Sequence, residues 1–279
     1  TPDPMFSKAD THIETTYSDA LMTPELTVEA IARATDLSLI AITDHDTLDA
    51  YDGLEVPADS IRLINGIELS TQWRTTGIHV LGLNIDIRSE TMLHAVHCQT
   101  QARLQRARKI GERLEKKGIE GAFEGARKLS ANHYIGRPHF ARFLVESGKV
   151  DSIGKAFKRY MGDGKAGDVR QHWAGLEQVI DWIRKADGIP VLAHPLKYKL
   201  TRTRLKLLLA DFIEAGGLGM EVVSGKQLPA QVNDMARLCE QFGLLASCGS
   251  DFHMPGTPWA ELGTISPLPR NVRPVWEFF

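Results

Sequence analysis

Six short apolar segments of the chain each run into a histidine or an acidic residue. They cover residues 9–14, 40–46, 63–68, 78–81, 191–195 and 244–253. Buried strands ordinarily end in turn residues. The recurrence of imidazoles and carboxylates at the C-terminal ends of these segments therefore predicts that the strand ends converge on one charged site. Barrels of alternating strands and helices build their active sites at that face.

Helix patterns separate these segments in the first third of the chain. Thr23, Pro24 and Glu25 supply a capping residue, a first-turn proline and an early acid, and a strand over 37–43 follows this helix directly. Later in the chain, helices are predicted over 176–186 and 230–242, and strands over 189–193, 219–223 and 244–247. Such alternation favours an α/β barrel of parallel strands joined by helices over an antiparallel sandwich.

The middle of the chain lacks this alternation. From about Leu93 an Arg-rich and Gln-rich helical pattern continues into glycine-punctuated segments, with no strand pattern through Lys165. This part is basic and the remainder is acidic, although the formal net charge of the whole chain is only −2. We therefore predict a first barrel segment over 5–97, a small helical insertion over 98–165, and a second barrel segment over 166–279.

Length and composition are those of an ordinary enzyme. With 279 residues, the chain is long enough for one barrel-sized domain. No apolar run approaches the about 20 residues that a membrane span needs, and the N-terminal stretch shows no basic segment followed by an apolar one. The three cysteines are odd in number and form no CxxC pair. These features predict a cytoplasmic protein with free thiols, no membrane partner and no obligate protein partner.

Nine side chains are candidate metal ligands. His12 and Glu14 are two residues apart on a strand and therefore point to the same face, and Asp251 and His253 repeat this spacing. The full set is His12, Glu14, Asp19, His45, Glu68, His79, His194, Asp251 and His253. Burying so many ionisable groups together is costly without a cation. Mixed imidazole and carboxylate sets suit Mn²⁺, Zn²⁺ or Fe²⁺, and a carboxylate-rich site also suits Mg²⁺. Nine ligands predict more than one divalent ion. His94, His97 and His133 are predicted to be surface side chains.

The same motifs resemble those of a known family. Thr-Asp-His-Asp at 43–46, Gly-Ile-Glu at 66–68, Ile-His-Val-Leu-Gly at 78–82, Ala-His-Pro at 193–195 and Gly-Ser-Asp-Phe-His at 249–253 are similar to the successive motifs of the PHP (polymerase and histidinol phosphatase) metal-dependent phosphoesterases. Arg-Pro-His-Phe-Ala-Arg-Phe-Leu at 137–144 and Gln-His-Trp at 171–173 resemble the subgroup of nucleoside 3',5'-bisphosphate phosphatases that includes the 5' to 3' exoribonuclease RNase AM. The resemblance implies a distorted (β/α)7 TIM-like barrel, the PHP fold, with a three-metal site that usually holds Mn²⁺.

The resemblance also implies a role for each site residue. One ion would be held by His12, Glu14, Glu68 and Asp251, a second by Asp19, His45 and Glu68, and a third by His79, His194 and His253. Catalysis would depend on Glu68, Asp251 and His194, and the substrate would be contacted by Arg137, His139 and Lys197. Either Asp44 or Asp46 would orient the His45 ring or tune its basicity.

By resemblance, the substrates are nucleoside 3',5'-bisphosphates, or 5'-phosphorylated RNA degraded in the 5' to 3' direction. Two departures from the family pattern leave alternatives open. Glu14 stands at a family histidine, and Lys197 replaces an arginine, so that a point charge takes the place of a bidentate clamp. The alternatives are a phosphatase of another small metabolite, such as histidinol phosphate, and a nucleotide-binding or RNA-binding relative with weakened catalysis. The cations of the first insertion helix, Arg103 and Arg106 among them, are predicted to form a solvated face, with attraction of RNA as the alternative.

Overall fold

A seven-stranded sheet organises the molecule, and its strands lie side by side in chain order. The computed structural model describes residues 8–130, 134–171 and 173–279. Three features named from the sequence lie outside the described residues: the start of the first barrel segment at 5–7, the predicted surface residue His133, and the motif residue His172.

The strands are β1 (Ala9–Ile13), β2 (Leu39–Ile42), β3 (Arg62–Trp73), β4 (Thr76–Leu83), β5 (Ile189–Leu192), β6 (Gly219–Ser224) and β7 (Leu245–Gly249). The first three strands pair in parallel, and so do the last three. The two outer strands approach each other, because Glu14 N donates to Phe252 O at 3.0 Å and Asp251 N donates to His12 O at 2.9 Å. The sheet is therefore a nearly closed barrel, which confirms the predicted α/β fold class.

Strand β4 departs from the predicted parallel arrangement. It pairs antiparallel with both β3 and β5, and only Arg74 and Thr75 join it to β3. So short a connection produces an antiparallel hairpin, since parallel neighbours need a long crossover. The reversal matters for the site: His79 lies near the start of β4, yet it pairs with Ser70 and so stands at the edge where the parallel strands end.

The helices are α1 (Pro24–Ala34), α2 (Glu90–Glu115), α3 (Ala122–Leu129), α4 (Arg137–Glu146), α5 (Ile153–Ala156), α6 (Leu176–Lys185), α7 (Arg202–Glu214) and α8 (Pro229–Gln241). Helix α1 begins as predicted, with the Thr23 hydroxyl accepting from Leu26 N at 3.2 Å and Pro24 in the first turn. The predictions for α6 and α8 hold to within a residue, whereas α7 lies in a segment whose pattern we did not assign. None of the described helices combines the length and the apolar character that crossing a bilayer requires.

Helix α2 links two hydrophobic cores. Met92 and Ala95 near its start pack into the barrel core, whereas Ala107 and Ile110 pack into a second core with α3 and α4. In the part of the chain that the structure describes, no strand lies between β4 and β5. The helical character predicted for this region is therefore present. The predicted boundary at residue 98 falls inside α2, and the exact domain limits stay a prediction.

Candidate metal centre at the strand ends

The Glu68 carboxylate lies at the centre of the cluster and is fully buried. Strand β3 continues past the end of β2, so that Glu68 forms a bridge with His45. Its Oε1 lies 2.8 Å from Nδ1 of His79 and 3.1 Å from Nε2 of His194. Its Oε2 lies 3.0 Å from Nε2 of His12 and 3.4 Å from Nδ1 of His45. Burial alone raises the pKa of Glu68, but the imidazoles of His45, His12 and His79 hold that pKa well below its usual range.

Three groups of side chains have ligand atoms that all lie within 4.8 Å of one another. The groups are His12 with Glu14, Glu68 and Asp251; His45 with Glu68 and His79; and Asp19 with His45 and His253. The first group is the set that the resemblance implies for one ion. The others combine residues differently, because His253 lies with Asp19 rather than with His79. All nine predicted residues belong to this cluster, with His194 joined through Glu68, and which ion each one holds stays a prediction.

The donor atoms of the first group fit a divalent cation. Nε2 of His12 lies 3.8 Å from Oε1 of Glu14 and 3.2 Å from Oδ1 of Asp251. The Glu14 oxygen is buried and has no hydrogen-bond partner among the described residues. Burial, with the charges of Glu68, Asp44 and Asp19, raises the pKa of Glu14 well above its usual range. A bound cation removes both penalties, because it satisfies the oxygen and offsets the crowded negative charge.

The loop after β1 adds Asp19 to the cluster. Its Oδ1 lies 3.1 Å from Nε2 of His253, whose Nδ1 lies 2.7 Å from the Asp251 carbonyl oxygen. That carbonyl can only accept, so Nδ1 of His253 carries the hydrogen and Nε2 is turned towards Asp19. Burial lowers the pKa of His253, but the charges of Asp19 and Asp251 outweigh burial and raise it to about 9.

Two members of the cluster stand in a backbone conformation that is rare outside glycine. His194 has φ 28° and Asp251 has φ 53°, a region that costs free energy for residues with a Cβ. Hydrogen bonds from their own backbone N–H groups hold them there. The N–H of His194 donates to Oε1 of Glu221 at 2.9 Å, and the N–H of Asp251 donates to the His12 carbonyl at 2.9 Å. The strain lies where the chain leaves β5 and β7 and turns both side chains into the site.

Glu221 is a site residue that sequence reasoning missed. It is buried on β6, and its Oε2 lies 2.8 Å from Nδ1 of His12. An ionised carboxylate accepts, so this contact places the hydrogen on Nδ1 and leaves Nε2 of His12 free to ligate. The available signal was a lone acid inside the apolar strand Gly219–Ser224, since a fully buried carboxylate requires partners.

The two aspartates beside His45 build the loop rather than orient the ring. Asp44 accepts hydrogen bonds of 2.6 Å from the backbone N–H and the hydroxyl of Thr15, and one of 2.7 Å from Ser18. Asp46 binds the guanidinium of a residue on α2, and its backbone φ is 55°. Neither carboxylate is hydrogen-bonded to the His45 ring in the described part of the chain, so the expectation that one of them orients the ring is wrong, and an effect on its basicity stays a prediction.

Arg103 is the partner of Asp46 and ties α2 to the barrel. Its Nε donates to Oδ2 of Asp46 at 2.5 Å, and its Nη2 donates to the Ser70 hydroxyl at 2.8 Å. The guanidinium lies 4.3 Å from the ring centroid of Tyr134 and 5.0 Å from that of Trp173. Arg103 is only 6% exposed, so the prediction of a solvated helix face is wrong at this position.

The predicted substrate contacts lie around the edge of the cluster. His139 is buried, and its Nδ1 accepts from Gly136 N at 3.0 Å. Burial lowers its pKa to about 4, so the ring is neutral and its other nitrogen carries the hydrogen. The Arg137 side chain is 33% exposed. Lys197 forms an ion pair with Asp251. Contact of these three residues with substrate stays a prediction.

Three known proteins are similar to this chain over nearly all of its length. A 5'-3' exoribonuclease of Haemophilus influenzae is 42% identical over 99% of this chain and 100% of its own. The 5'-3' exoribonuclease Rnm of Escherichia coli is 44% identical over 97% of this chain and 93% of its own. A 3',5'-nucleoside bisphosphate phosphatase of Chromobacterium violaceum is 39% identical over 96% of this chain and 94% of its own. No protein-family model matches the chain.

Two solved structures share the fold. An amidohydrolase from Chromobacterium violaceum, solved with bound sulfate and no metal, superimposes with a TM-score of 0.87 at 37% identity. A putative metal-dependent phosphoesterase from Bifidobacterium adolescentis gives a TM-score of 0.80 at 25% identity. Each match covers 97% of this chain and 95% of the other. The predicted barrel fold and the resemblance drawn from the motifs are confirmed by these similarities.

Proposed function

We infer the function from the family: the chain belongs to the PHP metal-dependent phosphoesterases, with the 5'-3' exoribonuclease Rnm and the 3',5'-nucleoside bisphosphate phosphatase. We propose that it hydrolyses the ester at the 3'-oxygen of a nucleotide that carries a 5'-phosphate. Nucleoside 3',5'-bisphosphates would yield nucleoside 5'-monophosphate and phosphate. RNA with a 5'-phosphate would be shortened in the 5' to 3' direction. Both substrates present the same terminal phosphate and the same leaving oxygen, so one site serves both.

The observation that carries this proposal is the convergence of imidazoles and carboxylates around Glu68. The buried carboxylates of Glu14, Glu68 and Asp251 would repel a phosphate ester, so the cluster suits this chemistry only when cations are bound. We propose two or three divalent ions, with Mn²⁺ preferred and Zn²⁺, Fe²⁺ or Mg²⁺ as alternatives. Such ions supply an activated water at neutral pH and neutralise phosphate oxygens.

The side chains of this chain would hold those ions and place the substrate. Glu68 faces four imidazoles and is the residue we propose to bridge two ions. Asp251 and His194 project from strained turns that fix their direction, which limits reorganisation during the reaction. We propose all three as the catalytic residues, because each would touch an ion in contact with the reacting phosphate.

The other phosphate would be bound at the start of α4. Arg137 presents a guanidinium fork suited to two phosphate oxygens, and neutral His139 offers one further N–H. Lys197, beside Asp251, would add a positive charge near the scissile phosphate. The two phosphates of one nucleotide would then be held by separate parts of the chain, the barrel and the helical region.

Phosphate release from adenosine 3',5'-bisphosphate tests this function. Metal-stripped protein is reconstituted with each of the four ions, and inorganic phosphate is measured alongside products from an RNA oligonucleotide that has either a 5'-phosphate or a 5'-hydroxyl. We expect turnover of the bisphosphate and of the 5'-phosphorylated RNA, with the 5'-hydroxyl RNA poorly used. Absence of turnover with all four ions would contradict the proposal, and faster release from histidinol phosphate would favour the small-metabolite alternative.

Arg137→Ala locates the 5'-phosphate contact. We expect a rise in KM for both nucleotide substrates, while Arg127→Ala, which removes an exposed arginine of α3, leaves KM unchanged. Equal KM values for the two variants would remove Arg137 from the substrate site.

A further inference from the structure

Trp259 presents a large aromatic ring to solvent near the metal centre. It lies in the segment that leaves the barrel after His253, and it is 66% exposed. No hydrogen bond, ring contact or cation–π contact joins its side chain to another residue in the described ranges. Exposure alone assigns no ligand to a side chain, so the position of this ring and the charges around it decide what it can bind.

The backbone of Trp259 is fixed against the ends of β6 and β7. Its carbonyl oxygen accepts from Lys226 N at 2.7 Å, and Gly225 N donates to Gly249 O at 2.7 Å. A Cβ at Gly225 would lie 2.2 Å from the Trp259 carbonyl oxygen and 3.5 Å from that of Ser250. Trp259 therefore sits beside the residue that precedes the proposed ligand Asp251. A ring carried by a fixed backbone gives up little conformational freedom when a ligand covers it.

Positive charge extends from the metal centre towards this ring. Lys197 and Lys199 follow β5, and Lys226 follows β6. Lys197 is paired with Asp251, whereas Lys199 and Lys226 are exposed and form no ion pair within the described part of the chain. A cavity of about 50 Å³ lies between Lys197 and Gln227, the neighbour of Lys226. The surface between the proposed scissile phosphate and Trp259 thus suits a polyanion.

The direction of the substrate connects this surface to RNA. The proposed 5'-phosphate site includes His139, whose ring lies 5.7 Å from that of Tyr134, and Tyr134 lies 5.9 Å from His45. Lys197 contacts a different member of the cluster, Asp251. A nucleoside bisphosphate ends at the scissile phosphate, but an RNA chain continues beyond it. With its first nucleotide on the His45 side, the chain would continue past Lys197.

We propose that Trp259 stacks on the base of the second nucleotide of a 5'-phosphorylated RNA, and that Lys226 contacts the phosphate that follows it. The inference rests on the proposed function and deepens it, because it names the surface that only the RNA substrate reaches. Aromatic rings beside cations are the usual surface for single-stranded nucleic acid, and they accept any base. Lysine is depleted in the cores of protein–protein interfaces, so RNA fits this surface better than a second protein does.

Trp259→Ala tests the inference with two substrates of different length. We measure kcat/KM for adenosine 3',5'-bisphosphate and for a 5'-phosphorylated adenosine tetranucleotide. Loss of one stacked base should lower kcat/KM for the tetranucleotide by about fivefold or more and leave that for the bisphosphate within about twofold. Trp259→Phe keeps a ring and should retain most of the activity on RNA. Equal effects of Trp259→Ala on both substrates, or none on RNA, would overturn the inference.

Phe278→Ala is the matched control. Phe278 is also an exposed aromatic residue, but Pro274 in the same C-terminal segment bridges Ala246 near the start of β7, at the end of the strand away from the cluster. This variant should leave kcat/KM for both substrates unchanged. A fall for RNA as large as that of Trp259→Ala would overturn the inference, because any exposed ring would then have the same effect.

A binding measurement separates this inference from the proposed function. The ligand is a fluorescent 5'-phosphorylated RNA whose first 3'-oxygen is replaced by a methylene group, so that the first linkage cannot be hydrolysed. Weaker binding to Trp259→Ala than to Phe278→Ala, seen by fluorescence anisotropy, supports the inference even if neither substrate is turned over. Equal binding overturns it. Equal binding together with a lower oligomeric state of Trp259→Ala in sedimentation would instead identify a contact between two copies of the chain.

The salt dependence of the same binding tests Lys226. Loss of one phosphate contact should reduce the slope of log K against log salt concentration by about 0.7 for a single strand. Lys226→Ala should show this reduction, and Lys149→Ala, which removes an exposed lysine after α4, should not. Equal slopes in the two variants would overturn the contact assigned to Lys226.

Discussion

The carboxylate of Glu221 joins His12 and His194 through its two oxygens. Oε2 lies 2.8 Å from Nδ1 of His12, and Oε1 accepts the backbone N–H of His194 at 2.9 Å. One residue of β6 therefore sets the tautomer of an imidazole on β1 and steadies a strained residue after β5. Positioning groups of this kind commonly change metal affinity by 10-fold to 100-fold in other proteins.

Substitution Glu221→Gln should weaken metal binding by about tenfold or more. The amide has one accepting oxygen in place of two, so it satisfies His12 or His194 but not both in the present geometry. Calorimetric titration of Mn²⁺ into metal-free protein measures the loss. Glu240→Gln, an exposed residue of α8, is the control, and equal affinity in the two variants would show that Glu221 has no positioning role.

Glu14→Ala should remove one ion from the first group, because it deletes a buried ligand oxygen that has no hydrogen-bond partner within residues 8–130, 134–171 and 173–279. Glu14→His should keep that ion and shift the preference towards Zn²⁺, since nitrogen is a softer donor than oxygen. Metal content by plasma mass spectrometry, after dialysis against equal Mn²⁺ and Zn²⁺, reads out both changes. Full metal content in the alanine variant would exclude Glu14 as a ligand.

Arg103→Ala should destabilise the protein by about 3 kcal/mol, because it leaves Asp46 buried without its cation. The free energy of unfolding from urea titration measures this cost. The exposed Arg108 of the same helix gives the comparison, and Arg108→Ala should change the stability by no more than about 0.5 kcal/mol. A similar small value for Arg103→Ala would mean that the buried ion pair is not needed to join α2 to the barrel.

Removing the metal should lower the thermal stability of the protein. Without cations the carboxylates crowd together, and ions at about 100 times their Kd would stabilise the folded state by about 2.7 kcal/mol per independent site. Melting temperatures of chelator-treated protein, with and without added Mn²⁺, measure the effect, with KCl at equal ionic strength as the control. Equal melting temperatures in Mn²⁺ and KCl would contradict a native metal cluster.

Much of this architecture follows from local patterns in the sequence. Apolar runs that end in His or acidic residues predicted six of the seven strands, the alternation of strands and helices predicted β6, and caps such as Thr23 located helices. The two-residue spacing of His12 and Glu14 placed both on one face of β1 because side chains alternate along any strand. The nine candidate ligands could therefore be named before their distances were known.

The direction of β4, and with it the approach of His79 to Glu68, depended on a two-residue hairpin that local periodicity does not report. The pairing of Glu221 with His12 and of Arg103 with Asp46 joins residues far apart in the chain, and no spacing rule connects them. Burial explains the difference. Periodicity in the sequence predicts which residues are buried. Only the packing of the barrel determines which buried charged groups pair with one another in the absence of water.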